Sequence, residues 1–338
     1  MIDPPNIDID RVAAAVSEQF GLVGRYKSLV SERDQNLSLR TADGREFVVK
    51  IAGQDEDPVV TDFQIMALIH LQESGAKGVP EITRTSRGED HGTISYDDGT
   101  EACLRVVSWL SGSLLHDVSL SAEISRSFGQ QLARLDLSLL GFSHPGDQQV
   151  LIWDVQRALE LRPLLTHFDD ALIRRQVEDV FEVLENRVLP ALASLPKQVI
   201  HNDANPENVL LGDEGKVSGF IDFGDMLRAP RVVEIAIAAS YLRTNGSDPL
   251  EFIAPFVAGY HASSPLQKEE TGLLYDLIRT RLATTLSILY WRLSARKPGD
   301  SYREKTLASE ASAIEFLPRL TAIGRAEVTQ HLVEAIAR

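Results

Sequence analysis

Residues 199–211 read VIHNDANPENVLL, and residues 219–225 read GFIDFGD. The apolar residues predict short buried strands, and the polar residues predict the loops that follow them. This pattern puts Asp203 on a tight loop, Asn208 at the start of the next strand, and Asp222 at the end of a third strand. Two carboxylates and an amide then converge, and such oxygen ligands suit Mg²⁺ together with phosphates and water. The stretch therefore predicts a site for metal-assisted phosphoryl transfer.

Phosphoryl transfer also needs a cation on the nucleotide phosphates, and Lys50 is the candidate. It lies near the end of the alternating run 46–51, which follows the turn at residues 42–44 and the alternating residues 37–40. A solvated lysine on a strand is the ordinary alternative. Its position ahead of a helix and of the Asp222 motif favours the functional interpretation.

The surrounding sequence predicts a β-rich first part and a helical second part. Helical spacing covers residues 8–20 and 62–71, and strand patterns recur at residues 92–96 and 102–109. After residue 113 helices are expected at 120–140, at 172–192, and from 232 to the end, with strands at 198–201, 208–211 and 217–223 between them. The expected fold class is α+β.

Composition excludes several kinds of protein. The 338 residues carry a net charge of −15, which argues against a nucleic-acid-binding protein. The one cysteine, Cys103, excludes an intramolecular disulfide and a cysteine-rich metal site. The apolar windows 235–242 and 282–293 are shorter than the ~20 residues of a membrane span, and no signal peptide is visible. A cytoplasmic protein without membrane contact is expected.

The two motifs resemble those of the aminoglycoside-phosphotransferase and choline-kinase-like superfamily, a small-molecule branch of the protein-kinase-like fold. Within it, the sequence is most similar to hydroxylysine kinases and to the kinase domains fused to class III aminotransferases. The resemblance extends to residues 31–36, 47–51, 153–154 and 234–238. It implies a bilobal fold with a small β-rich N-lobe (1–106), a hinge (107–113) and a larger α-helical C-lobe (114–338), with Mg²⁺-nucleotide between the lobes.

The resemblance also implies roles for individual residues. Asp203 is expected to orient or deprotonate the acceptor hydroxyl, and Asn208 and Asp222 to bind Mg²⁺. His201 is expected to brace the catalytic loop. The residues expected to contact the nucleotide are Lys50 and the segment Ser31, Glu32, Arg33, Asp34, Gln35 and Asn36 at the phosphates, with Val107 and Trp109 at the base.

Several roles have more than one candidate. Either Gln64 or Asp62 could orient Lys50. The position-by-position resemblance to the family favours Gln64, and electrostatics favours Asp62. Asp225 or Glu234 could hold a substrate ammonium, although acidic residues are also common at helix starts. Arg281 could bind a substrate carboxylate or form an internal ion pair with a helix acid, and Trp153 could contact substrate or only pack.

The expected function is Mg²⁺-dependent transfer of the γ-phosphate of ATP or GTP to a hydroxyl of an amine-bearing small molecule. A hydroxylysine-like amino alcohol or hydroxy amino acid is the favoured acceptor. The alternatives are an aminoglycoside or amino-sugar phosphotransferase, and a catalytically silent nucleotide-binding regulatory domain. The sequence leaves the oligomeric state open.

Overall fold

The computed structural model describes residues 5–31, 33–295, 300, 304, 306–307 and 310–338. It divides into two compact units. Unit 1 comprises Met1–Ser111, Phe142–Asp147 and Gly219–Ile221, and unit 2 comprises Gly112–Gly141, Gln148–Ser218 and Asp222–Arg338. The lobe boundaries at residues 106 and 113 stay a prediction.

Unit 1 is built on a five-stranded antiparallel sheet with the strand order β1-β2-β3-β5-β4. Its elements are α1 (Ile9–Phe20), β1 (Gly24–Leu29), β2 (Gln35–Thr41), β3 (Glu46–Ile51), α2 (Pro58–Glu73), β4 (Gly92–Ser95) and β5 (Glu101–Ser108). The predicted hairpin at 37–51 corresponds to β2 and β3.

The two faces of this sheet differ in polarity. Leu37, Val49 and Val106 lie in one cross-strand row, are fully buried, and belong to a core shared with α1. Because side chains alternate along a strand, the next row faces the other way. That row contains Asn36, Lys50 and Arg105, so the second face is polar where the site residues lie.

Helix α2 begins four residues before the predicted start at residue 62. The Asp57 side chain caps it by accepting a hydrogen bond from the Val59 N–H, and Pro58 occupies the first turn. Proline is compatible with this position because the first-turn N–H groups have no partner within the helix. The first turn of α2 has too few apolar residues at helical spacing for the sequence pattern to predict it.

Unit 2 is mainly helical. Its strands are β6 (Ser113–Leu114), β7 (Gln198–Ile200), β8 (Val209–Leu211), the start of β9 (Val217–Phe220) and β10 (Leu227–Ala229). Its helices are α3 (Ala122–Ser138), α4 (Ala171–Val183), α5 (Leu189–Leu192), α6 (Arg231–Ser240), α7 (Ile253–Ser263), α8 (Lys268–Thr271), α9 (Leu274–Ser294), and two further helices, Ala311–Ile323 and Arg325–Ile336. The 3₁₀ segments of this unit are Leu115–Asp117, Val155–His167 and Phe223–Asp225, whereas Pro145–Gln148 belongs to unit 1 except for its last residue.

The helix predicted over residues 172–192 is interrupted. A π-helical turn, Leu184–Val188, separates α4 from α5. Pro190 lacks an N–H and its ring collides with the carbonyl four residues earlier in a regular helix, so a widened turn relieves the conflict. Residues 155–167, for which the sequence predicted no element, form a long 3₁₀ segment.

The expected α+β class is confirmed, with a sheet in the N-terminal part and helices in the C-terminal part. Helix α9 is buried along nearly its whole length, and the charged side chains of Asp276, Arg279 and Arg281 are buried together with its apolar ones. Within the described part of the chain, no helix is long and apolar enough to cross a membrane.

Candidate active site

The loop after β7 is fixed by an asparagine in an uncommon conformation. Asn202 has a φ of 65°, a left-handed value that asparagine tolerates better than most residues. Its N–H donates to Glu234 Oε2 at 2.7 Å, and its Nδ2 donates to the Asp225 carbonyl at 3.0 Å. The asparagine thereby joins the loop to α6 and to the segment that follows β9.

His201 lies under this loop and is fully buried. Its Nδ1 accepts a hydrogen bond from the Asp203 N–H at 3.3 Å, and the His201 ring makes an edge contact with Phe223, with the ring centroids 4.7 Å apart. A buried imidazole with these contacts fixes the backbone of the loop. This arrangement supports the bracing role expected for His201.

The Asp203 carboxylate is held by amides on both oxygens. Asn205 Nδ2 donates to Oδ1 at 3.0 Å, and Asn208 Nδ2 donates to Oδ2 at 2.7 Å. Arg281 Nη2 lies 4.0 Å from Oδ1. Burial raises the pKa of Asp203 to about 7, an effect opposed by the Arg281 charge. The side chain retains 22% exposure, so a small hydroxyl compound can reach it.

Asn208 and Asp222 present oxygen atoms. Both hydrogen bonds that Asn208 Nδ2 donates go to Asp203, one to its carbonyl and one to its carboxylate, so Oδ1 of Asn208 remains as an acceptor. Asp222 is exposed, has a φ of 59°, and accepts a hydrogen bond from the Gly224 N–H at Oδ1. Among the described residues, no group of three or more His, Cys, Asp or Glu side chains could hold a metal. Mg²⁺ usually keeps several waters and binds through one or two carboxylates together with substrate phosphates, so it needs few protein oxygens.

Arg281 lies in α9 and is 3% exposed. Its Nη1 donates to the Trp153 carbonyl at 2.9 Å and its Nη2 to the Tyr241 hydroxyl at 3.0 Å. Its guanidinium also lies over the Trp153 ring, 5.1 Å from the centroid. Of the two alternatives stated for Arg281, the structure favours an internal ion pair, and the partner is Asp203 rather than a helix acid.

The two acidic candidates for a substrate ammonium differ in burial. Asp225 is half-buried in the turn after β9. Glu234 is fully buried, and burial raises its pKa well above the usual value. Its contact with the Asn202 N–H favours a positioning role for Glu234 over contact with substrate.

In unit 1, Lys50 lies beside a loop carboxylate. Its Nζ is 3.8 Å from Asp34 Oδ2, and Arg105 Nη2 donates to the same oxygen at 2.7 Å. Both residues predicted to orient Lys50 make other contacts. Gln64 Oε1 accepts a hydrogen bond from Arg105 Nη1 at 2.6 Å, and Asp62 Oδ2 lies 3.0 Å from His144 Nε2.

The other predicted nucleotide contacts are spread over two segments. Glu32 lies outside the described residues, Ser31 is half-buried and Arg33 is exposed. Gln35 is bonded through both its side-chain oxygen and nitrogen to the Ile7 backbone. Val107 is buried. Trp109 is 40% exposed, and its backbone N–H donates to the Glu46 carbonyl.

Sequence reasoning missed four residues that shape these sites: Asn202 and Asn205 in the loop after β7, Tyr241 beside Arg281, and Arg105 beside Lys50. The Asn-Pro pair at 205–206 is a turn signal that could have identified Asn205, whose Oδ1 accepts from the Glu207 N–H. Arg105 and Tyr241 meet their partners only through the tertiary fold, and no local pattern marks them.

The chain is similar to several known proteins. The APH phosphotransferase enzyme family matches residues 26–271. Hydroxylysine kinase of Danio rerio is 26% identical, over 96% of this chain and 94% of the relative. Homoserine kinase of Neisseria meningitidis is 29% identical, over 70% of this chain and 73% of the relative. An amicoumacin kinase solved with AMP-PNP and Ca²⁺ shares the fold, with a TM-score of 0.67, 15% identity, and coverage of 96% of this chain and 93% of that chain.

The predicted superfamily resemblance and protein-kinase-like fold are thus confirmed. The protein is a small-molecule kinase that transfers a phosphoryl group to a hydroxyl acceptor. By the match over residues 26–271, the chain belongs to the APH phosphotransferase enzyme family.

Proposed function

We propose that the chain transfers the γ-phosphate of ATP or GTP, with Mg²⁺, to a hydroxyl of a hydroxylysine-like hydroxy amino acid or amino alcohol. The observation that carries the proposal is the Asp203 carboxylate, held on its two oxygens by Asn205 and Asn208. A carboxylate fixed in this way accepts a hydrogen bond from an acceptor hydroxyl in a defined orientation. The similarity to hydroxylysine kinase along nearly the whole chain supports the acceptor class.

In this proposal Asn208 Oδ1 and the Asp222 carboxylate hold the metal. The two hydrogen bonds that Asn208 donates to Asp203 set the orientation of its amide and direct the oxygen away from them. When bound, Mg²⁺ supplies charge neutralisation at the phosphate oxygens. The Lys50 ammonium contributes the second cation, and residues 107–109 contact the nucleotide base.

Asp203 accepts the hydroxyl proton as the acceptor oxygen bonds to the γ-phosphorus and the bond to the leaving diphosphate breaks. Little other covalent chemistry falls to the protein, so orientation and charge supply most of the rate. Asp225 is the candidate partner of a substrate ammonium, and the Trp153 ring a candidate apolar contact. Arg281 and Glu234 position the loop that carries Asp203.

The test measures nucleoside-diphosphate release with Mg-ATP and Mg-GTP across a panel of acceptors. The panel contains 5-hydroxylysine, homoserine, ethanolamine, choline, 1-amino-2-propanol and several aminoglycosides. 1-Amino-2-propanol reproduces the hydroxyl end of 5-hydroxylysine without its carboxylate. Comparing these two compounds therefore distinguishes an amino alcohol acceptor from a hydroxy amino acid acceptor. Asp203→Asn is the blank, and Asp213→Asn, in the exposed turn between β8 and β9, is the matched control.

Release that depends on 5-hydroxylysine, is absent in the blank and persists in the control is the expected result. Release with aminoglycosides alone would replace the proposal with the antibiotic-modifying function. Tight nucleotide binding without turnover of any acceptor would favour the regulatory alternative.

A further inference from the structure

Two cations face each other across neighbouring strands of unit 1. Lys50 in β3 pairs directly with Arg105 in β5, so both side chains lie on the same face of the sheet. Like charges at directly opposed positions repel. Arg105 is only 4% exposed, so water screens this repulsion poorly. The pair therefore needs an anion.

Asp34 provides that anion. One carboxylate oxygen, Oδ2, lies 2.7 Å from Arg105 Nη2 and 3.8 Å from Lys50 Nζ. The Asp34 side chain is 14% exposed, so this carboxylate is itself largely removed from water. Together the Lys50, Arg105 and Asp34 side chains carry a net charge of +1, which suits a phosphate ligand.

Arg105 also connects the carboxylate to a helix. Its Nη1 donates to Oε1 of Gln64 in α2 at 2.6 Å, and Gln64 is 6% exposed. The planar guanidinium thus donates to the helix from one nitrogen and to the loop from another, a geometry that a lysine ammonium does not reproduce. The contacts run from Gln64 through Arg105 and Asp34 to Lys50.

We propose that Asp34 is the carboxylate that positions Lys50 for the nucleotide phosphates, and that Arg105 holds Asp34 in place and links it to α2. The inference rests on the proposed function, in which Lys50 contacts the phosphates. The Gln64 amide is uncharged and cannot neutralise the Lys50 ammonium. The Asp34 carboxylate is negatively charged and lies 3.8 Å from Lys50 Nζ. Asp34 and Arg105 act through Lys50 and are positioning residues.

The test is a double-mutant cycle on nucleotide affinity. Asp34→Asn and Arg105→Gln are each made in the wild type and in a Lys50→Met background, and the Kd of Mg-ATP is measured by displacement of a fluorescent nucleotide. In the wild type we expect each change to weaken binding about 10-fold, within the usual range of coupling between contacting residues. In the Lys50→Met background the same changes should alter Kd by less than about 2-fold, because the residue they act on is gone.

Asp43→Asn and Arg40→Gln are the controls, since both residues are exposed at the far end of β2. Equal losses in the two backgrounds would show that Asp34 and Arg105 only support the fold, which overturns the inference and leaves the proposed function standing. A wild type that binds no nucleotide overturns both. If Arg105→Gln lowers the melting temperature sharply, Asp34→Asn, which preserves side-chain shape, decides the outcome.

Discussion

Arg281 shows how a single buried charge can serve a catalytic loop. Its guanidinium is fixed by the Trp153 carbonyl and the Tyr241 hydroxyl, and it lies within ion-pair distance of Asp203. A buried cation and a largely buried carboxylate each reduce the cost of placing the other away from water. The charges of Asp225 and Asp222 raise the pKa of Asp203, and the Arg281 charge opposes them. Removing Arg281 therefore raises the pKa of Asp203 further.

We therefore expect Arg281→Gln to lower kcat by about 10- to 100-fold, part of the contribution of a positioned general base. The Kd of Mg-ATP should stay near the wild-type value, because the lost contact is to Asp203 and not to the nucleotide. Steady-state kinetics and nucleotide titration separate the two effects. Arg279→Gln is the control, a buried arginine on the same helix whose Nε bonds to Thr321. Wild-type kcat in Arg281→Gln would contradict the assignment.

Asp222→Ala tests the proposed metal ligand directly. Its carboxylate is exposed, and losing the capping hydrogen bond that it accepts from the Gly224 N–H should cost the fold about 1 kcal/mol. We expect Mg²⁺ to lose its effect on nucleotide affinity, because only the amide oxygen of Asn208 would remain. Nucleotide titrations with Mg²⁺ and with excess chelator give the measurement. An undiminished Mg²⁺ effect would assign the metal to other groups.

At the scale of elements, α3 and α7 approach each other through glycines. A Cβ at Gly129 would lie 1.9 Å from the Phe256 carbonyl oxygen, and a Cβ at Gly259 would lie 2.0 Å from that of Arg126. Both obstacles are backbone atoms, which cannot move aside as a flexible side chain does. The close helix pair therefore depends on the absence of two side chains.

Gly129→Ala should destabilise the protein by about 3 kcal/mol or more, because the added methyl group forces the helices apart. Denaturant unfolding monitored by circular dichroism measures the change. Arg126→Ala lies on an exposed position of the same helix and should change stability by no more than about 0.5 kcal/mol. Equal stability of Gly129→Ala and wild type would mean that the helix crossing is wider.

The same helices are joined by a buried carboxyl. Tyr260 donates its hydroxyl hydrogen to Asp136 Oδ2, with the oxygens 2.5 Å apart, and burial raises the pKa of Asp136 to about 7. The unfolded chain releases this proton near the ordinary value of 3.8. Between these values the folded state holds a proton that the unfolded state does not, so this group makes stability fall as pH rises.

Asp136→Asn removes that dependence while the amide oxygen still accepts from Tyr260. Relative to the wild type, the variant should gain stability steadily from about pH 4 to about pH 7, by up to about 4 kcal/mol. Unfolding free energies measured across this range test the sign. A stability difference that is flat with pH would show that Asp136 is ionised in the folded protein at all these values.

Across the whole molecule, the predictions that succeeded rest on local pattern. Alternation identified β2 and β3, and helical spacing identified α1 and α3, because each element buries one face. Strand β1 was missed because it lies at the sheet edge and is mostly exposed, so no apolar alternation marks it. The 3₁₀ segment at 155–167 was missed because its buried residues, Val155, Ala158 and Leu161, recur at the 3₁₀ spacing of three, which covers only its first half and lacks the i, i+3, i+4, i+7 pattern of an α-helix.

The same limit explains the site. The motif spacing placed Asp203 beside Asn208, five residues away, since one short loop joins them. Asp34 and Arg105 are 71 residues apart, and Trp153 and Arg281 are 128 apart, so their contacts depend on the packing of separate elements. A single sequence shows which residue types are available for such pairs but not which of them meet.

The one cysteine reports on the stability of unit 1. Cys103 lies in β5, between β3 and β4, and burial raises the pKa of its thiol to about 11. At pH 8 this reduces the reactive thiolate on the order of 100-fold compared with an unfolded chain. Although Cys103 is partly exposed, its small thiolate fraction in the folded state makes transient opening of the sheet the expected main route of alkylation.

If Lys50 contacts the nucleotide phosphates, Mg-ATP must slow this alkylation, because a ligand that binds only the closed unit reduces the open population. At a concentration of 100 times Kd the reduction is about 100-fold. Mass spectrometry of timed samples gives the rate, with Cys103→Ser as the unlabelled control and Asp222→Ala as a variant in which Mg²⁺ should give no added protection. A rate unchanged by saturating Mg-ATP would mean that the thiol reacts without opening of the sheet, and that β5 shields it less than its burial between two paired strands implies.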